Sequence, residues 1–80
     1  LEPPSATARV TGGLVEVWAG TQAPELAREG AARAGGVPLG KAILYPLPVG
    51  GQAGRALEAE LVPIAVTLAS RAGRPVQVTM

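Results

Sequence analysis

The sequence predicts a two-layer α+β fold with the element order β-β-α-β-α-β, a four-stranded mixed sheet and both helices on one face of that sheet. Two segments with β-type alternation come first, and two segments with apolar residues at helical spacing follow, each succeeded by a further strand pattern. Two helices against one face are the economical way to cover such a sheet. With 80 residues, the chain is expected to form a single domain over residues 1–80.

Residues 6–10 and 14–18 alternate as strands and flank Gly12 and Gly13, two residues that accept the positive φ of a tight hairpin turn. In the second strand, Glu16 shares one face with Trp18, while the valines between and before them occupy the other. We therefore expect Glu16 to face solvent unless both sides of the sheet are covered. The alternation leaves open which face holds Trp18.

The first helix is predicted to begin at Pro24, which suits the first helical turn, and to end at Gly35 and Gly36. Its inward face is expected to be made of small or apolar residues: Leu26, Ala27, Gly30, Ala31 and Ala34. Such a face lets the helix approach the sheet closely.

Residues 42–47 read as the third strand, in which Pro46 predicts an edge position or an early end because it cannot donate to a ladder. A second amphipathic helix follows, closed by Gly73, and residues 75–79 form the last strand. The expected inward residues of this second helix are Leu57, Leu61, Ile64, Ala65 and Leu68. Pro63 leaves two alternatives: a regular helix that starts near Glu60, or a longer helix kinked where Pro63 meets Ala59.

The amino-acid composition excludes several classes of function. The chain has no Cys, His or Asp, which excludes the usual nucleophile pairs and zinc sites, so we predict no catalytic residue and no metal ligand in it. A net charge of +1 with scattered basic residues argues against nucleic acid as a partner. No segment predicts a membrane span or a targeting signal, so the chain is expected to be soluble. Because it begins with Leu1 and stops in a strand, we interpret it as a piece of a longer protein.

Two segments stand where a strand gives way to a helix: residues 18–22 (WAGTQ) and residues 49–55 (VGGQAGR). Such junctions present backbone N–H groups to ligands. Simpler interpretations remain open for each. Thr21 and Gln22 could cap the first helix, the glycines could form a flexible turn, and Arg55 could be a solvated surface charge.

In order along the chain, these segments resemble the molybdopterin-binding subunit of molybdenum hydroxylases, the family of xanthine dehydrogenases and aldehyde oxidases. Further likeness comes from residues 1–8 (LEPPSATA), 16–19 (EVWA), 21–24 (TQAP) and 73–76 (GRPV). Within the family, the chain resembles the β subunit of isoquinoline 1-oxidoreductases in particular. The resemblance implies a fragment of a larger subunit that binds molybdenum as molybdopterin cytosine dinucleotide, in the bacterial cytoplasm or periplasm.

The resemblance also implies cofactor-binding residues. The family's glutamine beside an oxo ligand of the molybdenum corresponds to Gln22, and its loop GGGFGRR or GGGFGGK corresponds to Gly50, Gly51, Gly54 and Arg55. Three positions depart from that loop: Gln52 replaces a glycine, Ala53 replaces the phenylalanine, and Ala56 replaces a second basic residue. The family's catalytic glutamate lies in a later part of the subunit, so the 80 residues alone are expected to be inactive.

Two functions follow as hypotheses. In the first, the chain supplies part of the cofactor pocket of an enzyme that hydroxylates N-heteroaromatics or aldehydes. In the second, favoured by Gln52 and Ala53, it is a structural or interaction module derived from that family that has lost the cofactor. The expected partners are the remainder of the subunit and a small iron–sulfur subunit or another electron-transfer protein. Self-association through an exposed strand edge is also expected.

Overall fold

The structure, a computed structural model, describes residues 5–21, 23–47 and 55–79, with side chains of the last helix described from residue 60 onward. The elements follow the predicted order. They are β1 (Ser5–Thr11), β2 (Leu14–Ala19), α1 (Pro24–Gly35), a 3-10 turn (Leu39–Lys41), β3 (Ala42–Pro46), α2 (Arg55–Ala72) and β4 (Val76–Thr79).

The four strands form one mixed sheet in the order β3-β2-β1-β4. β1 pairs antiparallel with both β2 and β4, whereas β2 and β3 run parallel. The predicted hairpin is confirmed: Gly12 and Gly13 join β1 to β2 with φ values of 57° and 80°. Positive φ at both positions is what a two-residue turn needs to match the twist of its strands.

The core lies between the two helices and one face of the sheet, and it consists almost entirely of alanine and valine. The buried strand residues are Ala6, Ala8, Val15, Val17, Ala19 and Ala42, and the buried helix residues are Ala27, Ala31, Ala32, Leu61, Val62, Ala65, Val66 and Ala69. Small side chains on both layers let the helices lie close to the sheet. Single methyl groups therefore matter in this interior.

The inward face of α1 is narrower than the sequence predicts. Ala27 and Ala31 are buried as expected, but Leu26 is 68% exposed, so its predicted place in the core is wrong. Leu26 stands one residue before Ala27, about 100° around the helix, so it points away from the face on which Ala27 and Ala31 are buried. The predicted end is confirmed by Gly36, which adopts the left-handed conformation after the last helical residue.

α2 packs with a different face from the one predicted. Leu61 and Ala65 are buried as expected, but Ile64 and Leu68 are 49% and 44% exposed, so their predicted burial is wrong. Val62, Val66 and Ala69 take their place against the sheet. These residues also recur at spacings of three and four, and their smaller side chains fit the alanine-rich strands.

Pro63 lies inside α2, which is helical from Arg55 onward, so a start near Glu60 is wrong. Leu57, also predicted to face inward, has a side chain outside the described residues. Pro63 faces α1 at Gly30, where a β-carbon would stand 3.4 Å from Pro63 Cγ. A methyl group at Gly30 would therefore touch the proline ring at an ordinary contact distance.

The edge position predicted from Pro46 is confirmed, since β3 is an outer strand. The N–H of Leu47 donates to the carbonyl of Ala19, and backbone groups alternate in direction along a strand, so those of Ala42, Leu44 and Pro46 point to the free edge. Arg28 of α1 donates from Nε to the Ala42 carbonyl at 2.8 Å. With Pro46 lacking an N–H, this edge offers few groups to another strand.

Among the helices in the described parts of the chain, none has both the length and the apolar character required to cross a membrane.

Candidate functional site

The carboxyl ends of β2 and β3 lie side by side at one edge of the sheet. Ala19 pairs with Pro46 in the parallel ladder, and the Leu47 N–H donates to the Ala19 carbonyl at 3.1 Å. The chain leaves β2 toward α1 and leaves β3 toward α2 from this edge. Parallel pairing therefore starts both strand-to-helix turns at neighbouring points. We call this end of the sheet, where the chain leaves β2 and β3, the turn edge; it is distinct from the outer edges formed by β3 and β4.

The predicted site residues themselves fall largely outside the described part of the chain. Gln22, Gly50, Gly51 and Gly54 lie outside the described residues, and Arg55 is described only as the first residue of α2, without its side chain. Their assignment as cofactor-binding residues stays a prediction. The structure supplies the positions of the residues that flank them.

Two hydrogen bonds involve Thr21 and Ala23, the described residues next to Gln22 in the chain. Thr21 Oγ1 accepts a hydrogen bond from the N–H of Ala23 at 3.0 Å, and the first bond of α1 runs from the Ala27 N–H to the Ala23 carbonyl at 3.0 Å. The side chain of a helix cap accepts a hydrogen bond from the second or third N–H inside the helix. Thr21 instead accepts from Ala23, which precedes the first residue of α1. The interpretation of Thr21 as a cap for α1 is therefore wrong, and its hydroxyl closes a local turn.

The start of α1 suits an anionic group at the turn edge. Helix geometry leaves the N–H groups of Glu25 and Leu26 without partners in the intrahelical ladder, and the helix dipole is positive there. Glu25 carries a negative charge at this end, but its carboxylate lies 3.6 Å from Arg28. The donors at this end therefore fit a ligand that is rich in phosphate or other acceptor oxygens.

On the sheet face opposite the helices, four side chains from β1, β2 and β3 form a closed group that we call the sheet-face cluster: Arg9, Glu16, Trp18 and Tyr45. Arg9 donates to Glu16 Oε1 from Nε at 2.9 Å and from Nη2 at 2.6 Å, and the Tyr45 hydroxyl donates to Glu16 Oε2 at 2.8 Å. The Trp18 and Tyr45 rings stack with centroids 5.0 Å apart, and the Arg9 guanidinium lies 5.6 Å from the Trp18 centroid.

Glu16 lies on the predicted face of β2, but its expected exposure to solvent is wrong. Only 9% of the residue is exposed, because the other three members of the cluster cover it. Both carboxylate oxygens have a donor, so the burial leaves no acceptor unsatisfied. Sequence reasoning missed the cluster because Arg9 and Tyr45 are 7 and 29 residues away from Glu16 along the chain.

Hydrogen bonds shift the acid–base properties of the pair in opposite directions. The hydrogen bonds from Arg9 and then from Tyr45 lower the pKa of Glu16 below its ordinary value of 4.5, although desolvation opposes them. The hydrogen bond to Glu16 raises the pKa of Tyr45 above its ordinary value of 10.0, because ionising the phenol would lose that bond beside a carboxylate. The pair is thus held in its carboxylate and neutral phenol forms.

We expect two pH limits on the stability that the cluster contributes. A lowered pKa means that Glu16 stabilises the fold above its unfolded pKa and loses that contribution as pH falls through its folded value. A raised pKa means that Tyr45 stabilises the fold below its unfolded pKa and loses that contribution as pH rises through its folded value. The contribution should be constant between roughly pH 5 and 9 and decline on either side.

Urea midpoints measured against pH check this expectation. Glu16→Gln should flatten the acid side of the profile relative to the wild type, and Tyr45→Phe should flatten the alkaline side. Glu60→Gln is the control, since Glu60 is exposed on α2. An acid limb that is as steep in Glu16→Gln as in the wild type contradicts the assignment.

Residues 1–80 match the molybdopterin cofactor-binding domain family. The chain belongs to this family. The resemblance to molybdenum hydroxylases is thereby confirmed at the level of a molybdopterin-binding domain of molybdenum enzymes. A comparison with curated proteins found no match.

In this molybdopterin-binding domain, the described residues include no group of three or more His, Cys, Asp or Glu side chains placed to hold a metal ion. The described residues nearest to the predicted cofactor-binding positions lie at the turn edge. Thr21 and Ala23 stand on either side of Gln22 in the chain, and Leu47 precedes the residues 49–55. The donor chemistry there, made of backbone N–H groups beside a helix start, fits an oxygen-rich anionic cofactor.

Proposed function

We propose that the domain forms part of the molybdopterin cytosine dinucleotide pocket of a molybdenum hydroxylase that acts on N-heteroaromatics or aldehydes. One observation supports this above all: the parallel pairing of β2 and β3 brings together the two strand ends that precede the segment carrying Gln22 (the Gln22 turn) and residues 49–55 (the glycine loop). When bound, the cofactor supplies the oxygen-transfer and electron-transfer chemistry. The chain's own residues bind and orient it.

Each proposed residue has a distinct task. The Gln22 amide donates a hydrogen bond toward the metal centre without adding charge. Gly50, Gly51 and Gly54 let backbone N–H groups approach an anionic cofactor closely, and Arg55 adds a positive charge at the start of α2. The catalytic base belongs to another part of the protein, so we assign no catalytic residue to these 80 residues.

The test is Gln22→Ala in the complete protein. Molybdenum per protein, or hydroxylation of a panel of N-heteroaromatics and aldehydes, should fall roughly 10- to 100-fold, the usual cost of losing a hydrogen bond next to a metal site. Gln77→Ala is the matched control, because Gln77 is an exposed glutamine on β4, the outer strand on the other side of the sheet from β3. Unchanged activity and unchanged molybdenum in Gln22→Ala would refute the assignment of Gln22.

A second candidate is a structural or interaction module that has lost the cofactor. Gln52 and Ala53, which replace a glycine and a phenylalanine of the family loop, favour it. Molybdenum analysis of the purified wild-type protein separates the two candidates. One molybdenum per protein supports the hydroxylase, and a protein without molybdenum supports the module.

The same proposal includes the wider assembly. We infer that the 80 residues are one domain of a larger molybdopterin-binding subunit, of the isoquinoline 1-oxidoreductase β type. Its partners in this proposal are the rest of that subunit and a small iron–sulfur or other electron-transfer protein. For pairing between copies, β4 is the better edge, because Pro46 and Arg28 leave β3 with few free backbone groups.

A further inference from the structure

β3 is weakly anchored in the core although the glycine loop follows it directly. It is an edge strand with one neighbour; Ala42 is buried and Leu44 packs half-buried against the core, while Ile43, Tyr45 and Pro46 are exposed. One alanine methyl group and one half-buried leucine give only modest packing energy with which to select one register. Side-chain contacts on the other face of the sheet can therefore contribute to how far β3 extends along β2.

The sheet-face cluster supplies that fixation near the turn edge. Trp18 and Tyr45 are partners in the ladder between β2 and β3, and their rings stack with an interplanar angle of 18°. The Tyr45 hydroxyl also reaches back to Glu16, two residues earlier on β2, and Arg9 of β1 holds Glu16 from the other side. The cluster therefore ties β3 to β2 and, through Glu16, to β1, within two residues of Leu47.

Geometry shows why the register matters at this place. A slip of one residue would turn Tyr45 to the helix side of the sheet, and a slip of two would move the start of the loop by about 6.6 Å relative to the end of β2. Binding constellations tolerate errors of only about 0.5 Å. The cluster allows neither slip, because only the observed register brings Tyr45 to both Trp18 and Glu16.

We propose that Glu16, Trp18 and Tyr45 are positioning residues, which set the offset between the Gln22 turn and the glycine loop and so govern retention of the cofactor. None of them needs to touch the cofactor. Their role in cofactor retention rests on the proposed function, whereas their control of the strand register stands independently of it.

The test measures hydrogen exchange of the Leu47 amide, the last described cross-strand donor before the loop, in the complete protein. In Tyr45→Ala we expect exchange about tenfold faster than in the wild type, and in Tyr45→Phe, which keeps the ring stack, a smaller increase. Two controls are matched to it. Ile43→Ala truncates an exposed side chain on the same face of β3, and Val76→Ala weakens the fold at the far edge.

The release of molybdopterin from the same variants completes the test. Faster release from Tyr45→Ala than from Val76→Ala, compared at urea concentrations that equalise their unfolding free energies, supports the proposal. Leu47 exchange in Tyr45→Ala no faster than in the two controls overturns it. Faster exchange with wild-type retention of the cofactor overturns the positioning role. If the wild-type protein holds no molybdopterin, the proposed function fails, and the exchange of Leu47 alone decides whether the cluster sets the register.

Discussion

Replacing Leu61 by alanine should lower the free energy of unfolding by about 2–4 kcal/mol, as measured by urea denaturation. Leu61 is 5% exposed and is the one leucine among the buried residues in the described parts of the chain. Its truncation removes apolar surface from the core and leaves a cavity that the small neighbours cannot fill. A domain of this size has roughly 4–12 kcal/mol of stability in total, so the loss is large.

Leu68→Ala is the matched control, since it makes the same substitution on the same helix. Leu68 is 44% exposed, so the expected loss is below about 1 kcal/mol. The contrast also tests which face of α2 is inward, because the helical pattern in the sequence placed both leucines in the core. Equal losses from the two variants would show that the assigned face is wrong.

Much of the architecture could be predicted because its signals are local. Gly12 and Gly13 predict the hairpin, Pro24 and Gly36 predict the two ends of α1, and Pro46 predicts an edge strand. Each of these residues restricts its own backbone through φ or through a missing N–H, so no knowledge of tertiary contacts is required. The order of elements follows from such signals.

The helix faces could not be predicted in the same way. α2 is apolar around much of its circumference, so Leu61 and Ala65 belong equally well to a stripe with Ile64 and Leu68 or to one with Val66. The choice depends on the partner surface, which is made mostly of alanine and valine and takes up Val62, Val66 and Ala69 beside Leu61. Burial therefore follows fit to the sheet, and Ile64 and Leu68 remain largely outside although Leu61 is buried.

The candidate site likewise has features that the sequence could predict and features that it could not. The sequence predicts that the turns after β2 and β3 lie at a common rim of the sheet, and the parallel pairing of the two strands brings together the strand ends that precede those turns. The cluster around Glu16 could not be predicted, because Arg9 and Tyr45 come to it from other strands. The roles of Gln22 and the glycines come from resemblance to the family, and they remain predictions about residues that the structure does not describe.

Gly35→Ala should destabilise the domain by about 1–3 kcal/mol, even though alanine is the better helix former by up to about 1 kcal/mol. A β-carbon on Gly35 would stand 2.6 Å from Val15 Cγ2 and 3.4 Å from Val66 Cγ1. Val15 is fully buried and its side chain is stiff, so it has nowhere to retreat. The end of α1 can approach β2 closely only because this position has no side chain.

A second glycine of α1 separates this steric effect from helix propensity. Gly30→Ala meets only Pro63 Cγ, at an ordinary contact distance of 3.4 Å, and should stabilise the domain by about 0.5–1 kcal/mol. Adding Val15→Ala to Gly35→Ala removes the opposing methyl group, so the double variant should lose less stability than the two single losses added together. Strict additivity in urea denaturation would mean that the contact between Gly35 and Val15 does not limit how closely the helix approaches the sheet.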